Sequence, residues 1–137
     1  MKRKNLLMLI PLVALVIVCV LTAGCAVQTI EDITPQDAAD LIEENLDNSN
    51  FVIIDVRTPA EFTSGHIDNA INIDFSSENF EIEINHLDKS KTYLIHCQSG
   101  NRSRGALDVM VEMGFREVYH LSVGISGWLA EGFPITK

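Results

Sequence analysis

Paired cysteines are what this 137-residue chain most clearly lacks, for it has only three. Cys19 lies inside an apolar run near the N-terminus, Cys25 follows that run, and Cys97 stands alone in all that comes after. Such a distribution excludes a disulfide framework in the body of the chain. Four scattered histidines and one cysteine give no metal-ligand spacing, so neither a metal site nor a cofactor is expected. Positive charge is scarce as well: 10 Lys and Arg stand against 19 Asp and Glu, for a net charge of −9. That balance disfavours nucleic acid and anionic lipid surfaces as partners. Internal repeats and low-complexity tracts are absent, and the length suits one domain rather than two.

What is present begins with a basic start. Lys2, Arg3 and Lys4 precede an apolar run from Leu6 to Leu21, and the small residues Thr22, Ala23 and Gly24 lead to Cys25. This is the layout of a secretory signal. With a cysteine at its end, it resembles the lipobox of lipoprotein precursors, although Thr22 stands where an aliphatic residue is more usual. The resemblance implies a signal peptide over residues 1–24, a lipid on the sulfur of Cys25 and a membrane tether over residues 25–32. The competing reading is an uncleaved transmembrane helix, because Leu6 to Val27 carries no charge. Both readings put the remainder outside the cytoplasm, with the basic N-terminus held inside. Setting aside residues 1–24 leaves 113 of the 137 residues and removes three positive charges, taking the net charge from −9 to −12. Attachment to a membrane would thus rest on the anchor and not on charge.

From there the pattern alternates. Thr34-Pro35-Gln36-Asp37 reads as a capped helix start, with Ala38, Leu41 and Ile42 on one apolar face. Phe51–Ile54 is apolar on both sides, as a buried parallel strand is, and ends at Asp55. Thr58-Pro59-Ala60-Glu61 repeats the helix start and Gly65 closes it. A second strand is expected at Ile71–Ile73 and a polar helix between Ser76 and Leu87. Thr92–His96 is a further buried strand that delivers the chain to Cys97. A helix over about Ser103–Met113, a last strand at Val118–Leu121 and a short closing helix around Ile125, Trp128 and Leu129 complete the chain. Strands alternating with helices predict an α/β fold, a single domain over residues 33–137 with helices flanking a central, mostly parallel sheet.

The chemistry concentrates in Cys97-Gln98-Ser99-Gly100-Asn101-Arg102, which runs from a strand end into a helix start. Backbone N–H groups converge in such a loop, and the helix N-terminus adds positive potential. Gly100 allows the turn and Arg102 supplies a permanent cation. A thiolate in this cradle is stabilised, so Cys97 is the expected nucleophile. Gln98, Ser99, Gly100, Asn101 and Arg102 are the expected holders of an anionic substrate.

Four stretches, taken in order, resemble the rhodanese family, specifically its single-domain members, over roughly Ile33 to Lys137. They are Ile54-Asp55-Val56-Arg57-Thr58-Pro59-Ala60-Glu61-Phe62, Gly65-His66-Ile67-Asp68-Asn69-Ala70-Ile71-Asn72, the Cys97–Arg102 loop with Ser103, and Gly124-Ile125-Ser126-Gly127-Trp128. Val123 stands where the family usually has a second glycine. The resemblance implies a sulfurtransferase whose cysteine becomes a persulfide. Its donor would be thiosulfate or another small sulfur anion or persulfide, and its acceptor cyanide or an external thiol, including that of a protein. Cys-based phosphatases of related architecture have five residues between Cys and Arg; four stand here, a loop that suits a sulfur atom better than a phosphate and makes a phosphatase or arsenate reductase the weaker alternative. Two more functions fit the same motifs: a non-catalytic binding module, and a persulfide carrier serving proteins at the membrane.

The remaining polar residues are read as support. Asp55, Arg57 and Glu61 are expected to form a buried charge network bracing the first strand, and His66 to order its loop. His96 should point away from Cys97 by strand alternation, and Trp128 should be core. Ser99 and Ser103 lack a Ser-His-Asp context and are not expected to act as nucleophiles.

Overall fold

The computed structural model describes residues 27–137. The expectations for a signal peptide, for lipidation of Cys25 and for an uncleaved helix lie outside or almost wholly outside those residues. Among the described residues, no helix is long and apolar enough to cross a membrane.

The elements run β1 (Thr29–Ile33), α1 (Pro35–Glu44), β2 (Phe51–Asp55), α2 (Pro59–Ser64), β3 (Ile71–Asn72), α3 (Phe80–Asn85), β4 (Thr92–His96), α4 (Asn101–Glu112), β5 (Glu117–Leu121) and α5 (Gly124–Ala130). The five strands form one sheet in the order β1-β5-β4-β2-β3. Every pairing in it is parallel, where the sequence pattern required only a mostly parallel sheet. Strand alternation divides the core between two faces. Ile54, Tyr93, Ile95, Cys97 and Val118 pack with Phe80 and Ile84 of α3 and with Ala106, Leu107 and Met110 of α4. Ile53, Leu94 and Leu121 pack on the other side with Ala38 of α1 and Ile125 and Trp128 of α5. This two-sided burial is why the central strands read as unbroken apolar runs.

Two expectations change. Residues 29–32, read as tether, belong to β1, which pairs along its whole length with β5. The domain therefore starts before the expected boundary at Ile33. β1 escaped notice because it is an edge strand, exposed from Thr29 to Asp32 and carrying Glu31 and Asp32. Acidic residues on an edge discourage pairing with another chain and leave no apolar signature. The helix expected over Ser76–Leu87 shrinks to α3. Before it, the Asp74 carboxylate accepts from Ser76 N–H at 2.8 Å, and Phe80 N–H donates to Ser77 C=O at 3.1 Å, so the chain turns first and becomes helical at Phe80.

Candidate active site

Cys97 is the first residue past the C-terminal end of β4, and α4 starts four residues later. Gly100 forms the N-cap of α4 in the left-handed region, φ 102°, without a capping side chain. A Cβ there would lie 1.9 Å from Ser122 C=O, so glycine is required by conformation and by space. Gly124, at φ 61°, presses on the loop from the other side, where a Cβ would come within 2.5 Å of Gln98 C=O. The start of α5 then clamps the loop: Ile125 N–H donates to Cys97 C=O at 2.9 Å, and Ser126 N–H donates to Gln98 C=O at 3.0 Å.

With its backbone fixed, the loop turns its donors on the sulfur. Gly100 N–H reaches Sγ of Cys97 at 3.1 Å and the Ser103 hydroxyl lies 3.4 Å from it. Burial alone drives the thiol pKa up. The Ser103 hydroxyl and the N–H groups of Ser103, Gly100 and Ser99 outweigh that, holding Cys97 below the ordinary thiol value. The sulfur sits where a capping oxygen would otherwise sit. Cys97 is 1% exposed, so a reagent must approach through the loop's rim.

The other loop residues divide. Ser99 and Asn101 are exposed on the rim. Gln98 is exposed but tethered, its Nε2 donating to Ser126 Oγ at 2.8 Å and its Oε1 accepting from Arg57 Nη1 at 3.4 Å. Arg102 is held by Glu61. Its guanidinium makes two 2.8 Å bonds to the carboxylate of Glu61, at Oε1 and Oε2. The hydrogen bond from Arg102 is the main force that lowers Glu61 to about 2, helped by the Thr58 N–H and hydroxyl and opposed by partial desolvation. The same bond raises Arg102.

Glu61 is thus not part of the Asp55–Arg57 network expected of it. As the third residue of α2 it closes a capping box with Thr58, and that position points it at α4. Asp55 and Arg57 do form a buried pair. Arg57 Nη2 donates to Asp55 Oδ2 at 2.7 Å and to Gly65 C=O at 2.7 Å, and Nε donates to both carboxylate oxygens at 3.0 Å. His66 is stacked on Phe62 with ring centroids 3.8 Å apart. Its backbone exchanges hydrogen bonds with Thr136 at 2.8 and 2.9 Å. His96 is buried, with Nδ1 3.1 Å from Cys97 C=O and Nε2 without a hydrogen-bond partner. Burial, only partly offset by Asp55 and the Cys97 carbonyl, lowers its pKa. Trp128 is core.

One expectation is overturned, because Ser103 does stand in a Ser-His-Asp context. Its Oγ lies 2.8 Å from Nε2 of His120, whose Nδ1 lies 2.9 Å from Oδ1 of Asp32. These residues are far apart in the chain, and only the sheet register opposes Asp32 to His120. Alternation along β5, with His120 two residues after buried Val118, was the available signal.

Against this geometry, the comparisons with known proteins are consistent. A family model described as "Rhodanese-like domain" matches residues 37–131. The chain belongs to the rhodanese-like family. It is 30% identical to a sulfurtransferase from Allochromatium vinosum over 99 residues, 72% of this chain and 91% of that one. It is 32% identical to the thiosulfate sulfurtransferase GlpE of Ectopseudomonas mendocina over 102 residues, 74% of this chain and 86% of that one. Among solved structures, a rhodanese-related protein from Thermoplasma volcanium aligns with a TM-score of 0.62 at 32% identity, covering 77% of this chain and 97% of its own. Within this rhodanese-like domain, Val123 departs from the usual glycine without distorting the turn. Its backbone is ordinary right-handed, φ −93° and ψ 0°, and the positive φ falls on Gly124. Val123 also fills the space over Gly127, where a Cβ would meet Val123 Cγ2 at 2.2 Å.

Proposed function

We propose that the protein is a sulfurtransferase in which Cys97 carries sulfane sulfur between an anionic donor and an external thiol or cyanide. The observation that carries this reading is the convergence of the N–H groups of Ser99, Gly100 and Ser103 on one sulfur, held in a loop only four residues long before Arg102. The Cys97 thiolate attacks the outer sulfur of thiosulfate. The sulfur–sulfur bond of thiosulfate breaks, sulfite leaves with the bonding electrons, and a Cys97 persulfide remains. An acceptor nucleophile then takes the outer sulfur and returns the thiolate, a two-step exchange with ping-pong kinetics. The loop's N–H groups serve both the thiolate and the persulfide anion. Cys97 is the sole free cysteine among the described residues, so the acceptor comes from outside the domain.

The reading extends to location. The basic start, apolar run and Ala23-Gly24-Cys25 support display outside the cytoplasm on a lipid attached to Cys25. Thr29 opens β1, and the Gln28 side chain already bonds Phe115 C=O at 2.9 Å, so the link to the anchor is Ala26 and Val27. Because the strands are all parallel, β1 starts at the end of the sheet opposite to Cys97, about 16 Å away along the direction of a five-residue strand. A domain held there turns its reactive loop away from the bilayer, toward soluble donors and acceptors.

Intact-mass measurement before and after thiosulfate tests the proposal, with Cys97→Ser as control. The expected result is a gain of about 32 Da that cyanide removes and that the variant never shows. Absence of the adduct at neutral pH overturns it.

A further inference from the structure

Four side chains from four elements form one continuous line beneath α4: Sγ of Cys97 past the end of β4, Oγ of Ser103 on α4, the imidazole of His120 on β5, and the carboxylate of Asp32 on β1. The separations along it are 3.4, 2.8 and 2.9 Å. Ser103 is wholly buried, His120 is 1% exposed, and the Asp32 side chain is 47% exposed at the sheet edge. The line therefore runs from a buried thiol to a solvated carboxylate through groups that can each accept a proton on one side and donate one on the other.

We propose that His120, oriented by Asp32, receives the Cys97 proton through the Ser103 hydroxyl and so generates the attacking thiolate. The assignment follows from hydrogen-bond valence. Asp32 is a carboxylate, so the facing Nδ1 of His120 carries hydrogen and donates to Oδ1. In the neutral ring Nε2 is then a bare acceptor, and Ser103 O–H donates to it. Ser103 Oγ keeps a lone pair for the Cys97 S–H. In the transfer, the thiol proton bonds to Ser103 Oγ as the hydroxyl proton bonds to His120 Nε2. The thiol S–H and serine O–H bonds break as new O–H and N–H bonds form, with no change of oxidation state. The products are a thiolate, a neutral serine whose O–H now points at the sulfur, and an imidazolium bonded to Asp32. The competing acceptors for the Ser103 hydroxyl are Gly100 C=O at 3.1 Å, which cannot store a proton, and Sγ of Cys97 at 3.4 Å, which accepts once it is the thiolate.

The surroundings fit a base and not a standing cation. The charged and titratable groups facing His120 are Asp32 from β1, Arg104 from α4 and His96 from β4. Burial lowers its pKa more than Asp32 restores it, and Arg104 lowers it further. His120 is therefore neutral and able to accept near pH 7. Arg104 pairs with Oδ2 of Asp32, leaving Oδ1 to the imidazole. Ser103 touches the reacting sulfur, whereas His120 and Asp32 are positioning residues that act through it.

The inference rests on Cys97 being the nucleophile but needs no sulfur donor, so it is tested by alkylation. The full chain in detergent is treated with iodoacetamide between pH 5 and 10, and modification is followed at the Cys97 peptide by mass spectrometry. In His120→Gln and Asp32→Asn the rate profile should shift to higher pH, with alkylation at pH 7 slowed about tenfold or more and the plateau above pH 9.5 unchanged. Ser103→Ala should shift the profile in the same direction. Asp32→Asn changes an exposed edge residue and leaves no cavity, which keeps the test valid should a buried variant fold poorly. Profiles that superimpose on the wild type, or that fall equally at every pH, overturn the relay. A shifted profile in a protein that takes no sulfur from thiosulfate upholds the relay and sinks the sulfurtransferase reading instead.

Discussion

Helices α1 and α2 start in one way and α4 in another. At Thr34 and Thr58 a hydroxyl accepts from the third helical N–H, the acidic residue at that position, Asp37 or Glu61, bonds back, and Pro follows at the first helical position. Cap hydroxyl, capping-box acid and first-turn proline are each present twice. At α4 none is: Gly100 has no side chain, no acid stands in the first turn, and the unpaired N–H groups turn to Cys97. Where the chain must only be held, it satisfies its own donors. Where it must react, it leaves them for a sulfur, and stability comes instead from α5 packing on the loop through Gly124 and Ile125. Helices α3 and α5 also start without a capping side chain, so what marks the site is the target of the free N–H groups of α4, the sulfur of Cys97.

The sharpest way to break this comparison is to give the third start a side chain. Gly100→Ala places a methyl 1.9 Å from Ser122 C=O at a φ of 102°. Either the loop or the β5–α5 turn has to move. We expect a loss on the order of 3 kcal/mol or more in urea unfolding, together with lost Cys97 reactivity. An alanine variant as stable and as reactive as the wild type would show that the uncapped start is not tied to the loop's shape.

The same contrast explains what could be read from the sequence. Both capped starts were legible because Thr-Pro-x-Asp and Thr-Pro-x-Glu carry their mechanism within four residues. The central strands were legible because burial on two faces leaves runs such as Val52-Ile53-Ile54 and Leu94-Ile95. The Cys97 loop could be found from a strand end, a glycine and an arginine. Features built by tertiary contact were not legible. β1 lacks an apolar face and exists through its pairing with β5. The Arg102–Glu61 pair joins residues 41 apart, and the Asp32–His120 contact spans 88. Arg102 shows the consequence: its spacing from Cys97 invites a role in donor binding, while the capping box of α2 aims Glu61 at its guanidinium.

Removing the conventional caps should affect stability and not chemistry. Thr34→Ala and Thr58→Ala are each expected to cost about 1 kcal/mol in urea unfolding. For Thr34→Ala the alkylation profile of Cys97 should stay that of the wild type, since α1 packs on the sheet face opposite Cys97 and α4. A changed profile would mean that the two kinds of helix start are energetically coupled and that the contrast between them is false.

The smallest effect belongs to Glu61, which lies on both sides of the comparison as a cap of α2 and a partner of α4. Its folded-state pKa of about 2 lies below the ordinary glutamate value of about 4.3. A depressed carboxylate binds its proton less readily when folded. Its contribution to stability is therefore complete above about pH 4.3 and disappears as pH falls through about 2. Gln at this position can still cap α2, so Glu61→Gln removes the ion pair and keeps the capping box. With the pair about one-third exposed, the difference should be only about 0.5 kcal/mol at pH 7. Unfolding midpoints measured from pH 7 to pH 2 should show wild type and variant converging at the acid end. A gap that persists at pH 2 would mean that Glu61 acts by shape and not by charge, as a cap alone.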